Sequence, residues 1–197
     1  MSRLPIIQPK EFTPAQQRIF DSITGGKRSA VSSTGSPLTA EGGLRGPFNA
    51  LLYSPVIGDA VQRVGEAVRF EGTLPPQLRE LAILTMAAEW QANFEWWAHE
   101  RIARDVGVEE AVIDGVKVGA LPDTADAQQR MIYNFARDVI EHHQVSDERY
   151  TAAVAMLGEA AIVELVLLLG YYSLIAMTLN VFAVAVPEGE PTPWPLR

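Results

Sequence analysis

Apolar residues recur along the chain at helical spacing, in stretches punctuated by Gly, Pro and polar clusters. Nowhere do they alternate with polar residues in the period of two that a half-buried strand requires. Val56, Ile57, Ala60, Val61, Val64, Ala67 and Val68 form one such stripe, opened by Ser54-Pro55 and closed near Gly72. Leu74-Pro75-Pro76 opens a second helix, whose continuation RELAILTMAAEW is apolar on nearly every face and is predicted to be deeply buried. The apolar run stops at Trp90-Gln91-Ala92-Asn93, where Asn93 is predicted to cap the helix FEWWAHERIARDVG, closed by Gly107. A helix–turn–helix is therefore centred on residues 90 to 93. Further helices are predicted at about 109–117, 124–142, 147–157 and 159–185. The expected fold class is all-α.

Ahead of this region, Thr13-Pro14-Ala15-Gln16 carries a Thr cap, a Pro at the first helical position and a Gln three residues on, so a short helix to about Thr24 is predicted. Residues 25 to 46 are rich in Gly and Ser and poor in large apolar side chains, which marks a long loop or arm. The organisation expected is an N-terminal helix and arm over 1–45, a helical domain over 46–186 and a Pro-rich tail over 187–197. Glu80 and Glu164 each open a long apolar helix, an internal echo that either a repeat or shared composition would produce.

With 197 residues and 48% apolar composition the chain can bury a real core. Its formal net charge of −8 removes the positive field that phosphate backbones require, so no nucleic-acid partner is expected. Pro5, Pro9 and Lys10 interrupt any signal-peptide core, and a cytoplasmic protein is expected. Leu165 to Val186 has no charge and is long enough to span a bilayer. However, it holds Tyr171, Tyr172, Ser173, Thr178 and Asn180, and no Lys/Arg cluster flanks it. The expectation is a buried helix of a homo-oligomer (dimer, trimer or hexamer) and no membrane partner, with the arm available to wrap a neighbour.

The absence of cysteine excludes disulfides, thiolate metal sites and any peroxidase cycle that runs through a thiol. Glu95 and His99 lie four apart, one turn from each other on one helix face, among Phe94, Trp96, Trp97 and Ala98. Such a pair suits proton transfer near neutral pH, and equally suits a core histidine satisfied by a carboxylate. A metal would need Glu89 or Glu100 as a further ligand, and no second histidine stands at ligand spacing; no metal is expected. The adjacent His142 and His143 read as an exposed helix end. No GxSxG, P-loop or dinucleotide fingerprint occurs, so the common cofactor folds have no support.

Residues 79–108, RELAILTMAAEWQANFEWWAHERIARDVGV, resemble the core motif of the carboxymuconolactone decarboxylase and alkylhydroperoxidase D-like superfamily, and the flanks bring the resemblance to residues 46–186. It implies a helical bundle with a central helix–turn–helix. In the peroxidase branch a glutamate, a CxxC and a histidine four residues after the second cysteine form the site. The glutamate falls on Glu80, the histidine on His99, and the cysteines on Ala92 and Glu95, so a peroxidase or antioxidant activity has no chemical support. The lactone-decarboxylase branch needs no cysteine. It implies loss of CO2 from a small carboxylated lactone of aromatic catabolism, with His99 protonating the carbanion, Glu95 orienting it, Glu80 as a second acid/base, Trp96 or Trp97 shaping the pocket, and no cofactor. A non-catalytic member with a structural Glu95–His99 pair is the alternative.

Overall fold

The computed structural model of the protein describes residues 2–27 and 36–195. A 3-10 turn, Pro9–Glu11, precedes α1 (Pro14–Gly25), α2 (Pro47–Leu52), α3 (Pro55–Phe70), α4 (Pro76–Glu89), α5 (Asn93–Asp105), α6 (Glu110–Val118), α7 (Ala127–His142), α8 (Asp147–Leu157) and α9 (Glu159–Val181). Among the described residues no strand forms, only one isolated bridge between Leu38 and Leu44. The all-α expectation holds, and the boundaries move for local reasons. Helix α7 starts at Ala127 because Asp126 and Gln129 make a capping box. Helix α9 stops at Val181, two residues before Ala183 turns to φ 49.

Helix α4 is the axis of the bundle. It packs against α5, α6, α7 and α9, and Leu78 and Glu80 through Ala87 are all buried, which is why its sequence shows no polar face. The turn to α5 uses Gln91 at φ 47 and Ala92 as the N-cap. Asn93 is thus the first helical residue and not the cap that its residue type predicts. Its amide is committed elsewhere: Nδ2 donates to the Trp194 carbonyl at 3.1 Å, and Oδ1 accepts from the Trp194 N–H at 2.8 Å.

This contact makes the Pro-rich tail a strap. Trp194 meets Trp96 edge to face at 5.2 Å, and Arg101 pairs with Glu190 at 2.6 Å. Deleting residues 188–197 removes an aromatic pair, a half-exposed ion pair and the partners of Asn93. We expect a loss of roughly 2–3 kcal/mol, read as a lower urea midpoint; an unchanged midpoint would show the tail to be passive.

The N-terminal segment builds a second, smaller core. Ile19, Ile23, Leu44 and Leu52 are buried together, with Ile7, Phe12, Phe20, Leu38 and Phe48 against them. Asn49 ties this core to the leading residues, accepting from the Ile7 N–H and donating to the Pro5 carbonyl. Residues 36–46 therefore fold onto their own chain; residues 28–35 of the expected arm lie outside the described residues. Gly46 leads into α2 at φ 65, and a Cβ there would come within 2.5 Å of the Phe94 ring, so only glycine serves both needs.

By length and composition α9 could cross a membrane, yet half of its most apolar window is inside the protein. Glu164 and Glu80, the two members of the internal echo, do unlike things. Glu164 accepts from the Thr73 and Leu74 N–H groups and the Thr73 hydroxyl, fastening the turn before α4, whereas Glu80 faces a histidine.

Candidate active site

Glu80 projects from the second turn of α4 and His99 from the middle of α5, and antiparallel packing of the two helices brings them together. His99 Nδ1 lies 2.6 Å from Glu80 Oε2, with Glu80 wholly buried. Arg79 Nε stands 3.6 Å from the other oxygen. Glu95, the partner expected for His99 from the spacing of four, makes no such contact: both of its oxygens are buried without a hydrogen bond. Helical adjacency puts two side chains on one face but does not choose their rotamers. A carboxylate reaching across from the neighbouring helix takes the imidazole.

Charge divides unevenly among these groups. Burial alone would raise the Glu80 carboxyl, but His99, Arg69 and Arg79 hold it below the ordinary glutamate value. Burial also lowers His99 below the usual imidazole value; the pull of Glu80 the other way does not offset this. An ionised Glu80 beside a neutral His99 fixes the proton on Nδ1 and leaves Nε2 as an acceptor. Glu95 behaves in the opposite sense, since burial pushes its carboxyl well above the usual range and favours the protonated acid. Tyr172, edge-on to the His99 ring at 5.0 Å, is likewise pushed up by burial and stays a phenol.

Glu95 and His99 open onto one cavity of about 100 Å³, also lined by Arg45, Arg69, Phe94, Trp97, Ile102, Tyr172 and Ile175. Of the two tryptophans expected to shape a pocket, Trp97 does line it. Trp96 does not: it is sealed in the core, its Nε1 donating to Glu100 at 3.0 Å and its ring against Trp194. Consecutive helical positions point about 100° apart, so one had to turn away. Glu89 pairs with Arg137, and Glu100 with Trp96, Arg101 and Arg104, so neither joins His99. Among the described residues no three His, Asp or Glu side chains gather as a metal site would need. His142 and His143 are exposed at the end of α7.

Three cavity residues escaped the sequence reading. Arg69 ends an amphipathic helix where basic residues are common, Tyr172 lies in an apolar run, and Arg45 belongs to the arm. The two cysteine positions implied by the resemblance are also placed. Ala92 is the buried cap of α5, and Glu95 holds its acid in the cavity.

The Carboxymuconolactone decarboxylase family matches residues 55–138, a span that includes Arg69, Glu80, Glu95 and His99. No curated protein sequence matches the chain. Solved structures of similar fold include an uncharacterized peroxidase-related protein with an alkylhydroperoxidase AhpD core from Ralstonia eutropha JMP134, at 17% identity and TM-score 0.75, covering 95% of this chain and 93% of that one. Another, an uncharacterized peroxidase-related protein from Silicibacter sp. TM1040, has 11% identity and TM-score 0.71 over 95% and 92% of the two chains. A third is a cysteine-to-alanine variant of the debrominase Bmp8 in complex with 2,3,4-tribromopyrrole, at 11% identity and TM-score 0.71 over 95% of each chain. At these identities the likeness is one of fold.

Proposed function

We propose that the chain, which matches the Carboxymuconolactone decarboxylase family over residues 55–138 and shares the fold of an alkylhydroperoxidase AhpD core, is a member of that superfamily and a cofactor-independent acid/base lyase that decarboxylates a small carboxylated lactone. One observation carries this reading. A single cavity holds a buried, unpartnered acid, Glu95, and a histidine whose other nitrogen is committed to an ionised carboxylate. Two titratable groups whose surroundings push them toward opposite protonation states are the usual signature of an acid and a base at work.

The substrate carboxylate loses CO2 and leaves its electron pair on carbon, delocalised toward the lactone carbonyl. Glu95 then delivers its proton to that carbon and becomes a carboxylate. Neutral His99 takes a proton from solvent at Nε2 and returns it to Glu95, while Glu80 steadies the transient imidazolium. These roles exchange those suggested by the sequence: Glu95 donates and His99 reloads. The apolar wall of Phe94, Ile102 and Ile175 disfavours a carboxylate relative to neutral CO2, which assists the bond-breaking step.

The test is a screen of carboxylated lactones and 2-oxo acids for CO2 release in deuterated water. One deuterium should appear at the carbon that lost CO2, and His99→Ala should abolish release. No release from any compound, or equal release by His99→Ala, would sink the reading and leave a non-catalytic member whose short Glu80–His99 contact is structural. Peroxide reduction through a CxxC pair lacks the thiols it would need.

Self-association is part of the same proposal. Val163, Leu167, Gly170, Leu174, Met177 and Val181 are exposed on α9 at alternating steps of four and three, the spacing of a seam between two helices. A second copy covering that stripe would give the cytoplasmic oligomer anticipated from the sequence. Light scattering on the eluting protein should give a multiple of 21.6 kDa, reduced by Leu167→Glu; a monomeric wild type would refute it.

A further inference from the structure

Four buried polar atoms in the cavity wall have no hydrogen-bond partner among the described residues: Arg69 Nε, Trp97 Nε1 and both oxygens of Glu95. Arg69 makes no hydrogen bond and no ion pair with any described residue; its guanidinium stacks at 4.9 Å on Phe70. The ionised Glu80 acts on Arg69 only through its field, because its close contacts go to Arg79 and His99. A cation and two donors without acceptors therefore border a space of about 100 Å³, within a protein that is acidic as a whole.

We propose that Arg69 anchors an organic anion in this cavity, and that it selects small carboxylates. Arg45 adds positive charge at the same wall. The inference deepens the lyase reading and rests on it for the word substrate, but the anion site itself does not depend on turnover. A carboxylate paired to a guanidinium is held in its ground state and does not depart as CO2. Arg69 therefore binds a carboxylate that the product retains, and the departing group lies toward Phe94 and Ile175. A planar carboxylate matches the guanidinium fork in shape as well as charge, and the Trp97 N–H supplies a further donor.

Calorimetric titration of the full-length protein with 2-furoate and with 2-furamide tests this, since the two share ring and size and differ in charge. Wild type should bind furoate at least about ten-fold more tightly than furamide. Arg69→Gln should lose that preference, and Arg69→Lys should keep part of it. Equal binding of the two probes, no binding of either, or an undiminished preference in Arg69→Gln would overturn the proposal. Should Arg69→Gln lose its helical circular dichroism, the wild-type comparison and Arg69→Lys still decide. A preference for furoate together with an empty lactone screen would retire the lyase reading and leave the anion site standing.

Discussion

Replacing Glu80 with alanine is expected to lower the unfolding free energy by about 3–5 kcal/mol, the cost typical of removing one partner from a buried charged pair. The side chain is wholly buried and bonded to His99 Nδ1. Its loss leaves a void, an imidazole N–H without an acceptor, and Arg69 and Arg79 without the negative charge that both feel. Glu80→Gln keeps the volume and an acceptor oxygen, so it should cost less than Glu80→Ala. Urea denaturation of the three proteins at pH 7 checks the order; a Glu80→Ala midpoint equal to wild type would mean that the pair is not a structural element.

The same pair makes the protein acid-sensitive, with a definite sign. Glu80 is lowered in the folded state, so its contribution is present above the unfolded value of about 4.3 and is lost as pH falls through the folded value. His99 is also lowered. The unfolded chain takes up its proton first, and stability falls as pH drops below about 6.5. Glu95 acts in the opposite direction: it is raised, so stability falls as pH climbs from the unfolded value toward the folded one.

Glu95→Gln should therefore flatten the alkaline arm of the stability profile and leave the neutral-pH fold at least as stable as wild type. Its effect on turnover should be large, a loss of about 10²–10⁴-fold, because glutamine has no proton to give. His99→Ala should fall in the same range by preventing reloading, and each corresponds to a barrier increase of about 3–5 kcal/mol. The combination matters, since a variant that is stable, folded and inactive separates chemistry from structure. Retention of wild-type turnover by Glu95→Gln would remove the acid from the account.

Much of this architecture was legible in the residues. The helical courses of α3, α4, α5 and α7, the Thr13 and Ser54 starts and the turn near residue 91 all follow from periodicity and end signals, but the α3 stripe does not mark its buried side: Val56, Ile57 and Val64 are exposed while Gly58, Gln62 and Gly65 are buried. Helix α2 and the turn at Pro9 were not legible, because six and three residues are too few for a period to show. The tail was legible only as Pro-rich. Its holding contacts, Asn93 and Trp96, lie about a hundred positions away.

The site divides along the same line. Glu80 and His99 were recognisable as chemistry, but their contact spans 19 positions and two helices, whereas the spacing of four pointed to Glu95. Local spacing ranks neighbours within one helix; it is blind to what the facing helix offers. Arg69 shows the limit most clearly. A basic residue at a helix end is ordinary in sequence, and only packing reveals that its Nε is buried without a hydrogen-bond partner among the described residues.

All of the proposed chemistry turns on the protonation of one side chain. Infrared difference spectroscopy between wild type and Glu95→Gln at pH 7 reads it directly. A protonated carboxyl C=O band should be present in wild type and missing from the variant. A carboxylate band in its place would show Glu95 ionised at neutral pH and contradict its role as the proton donor.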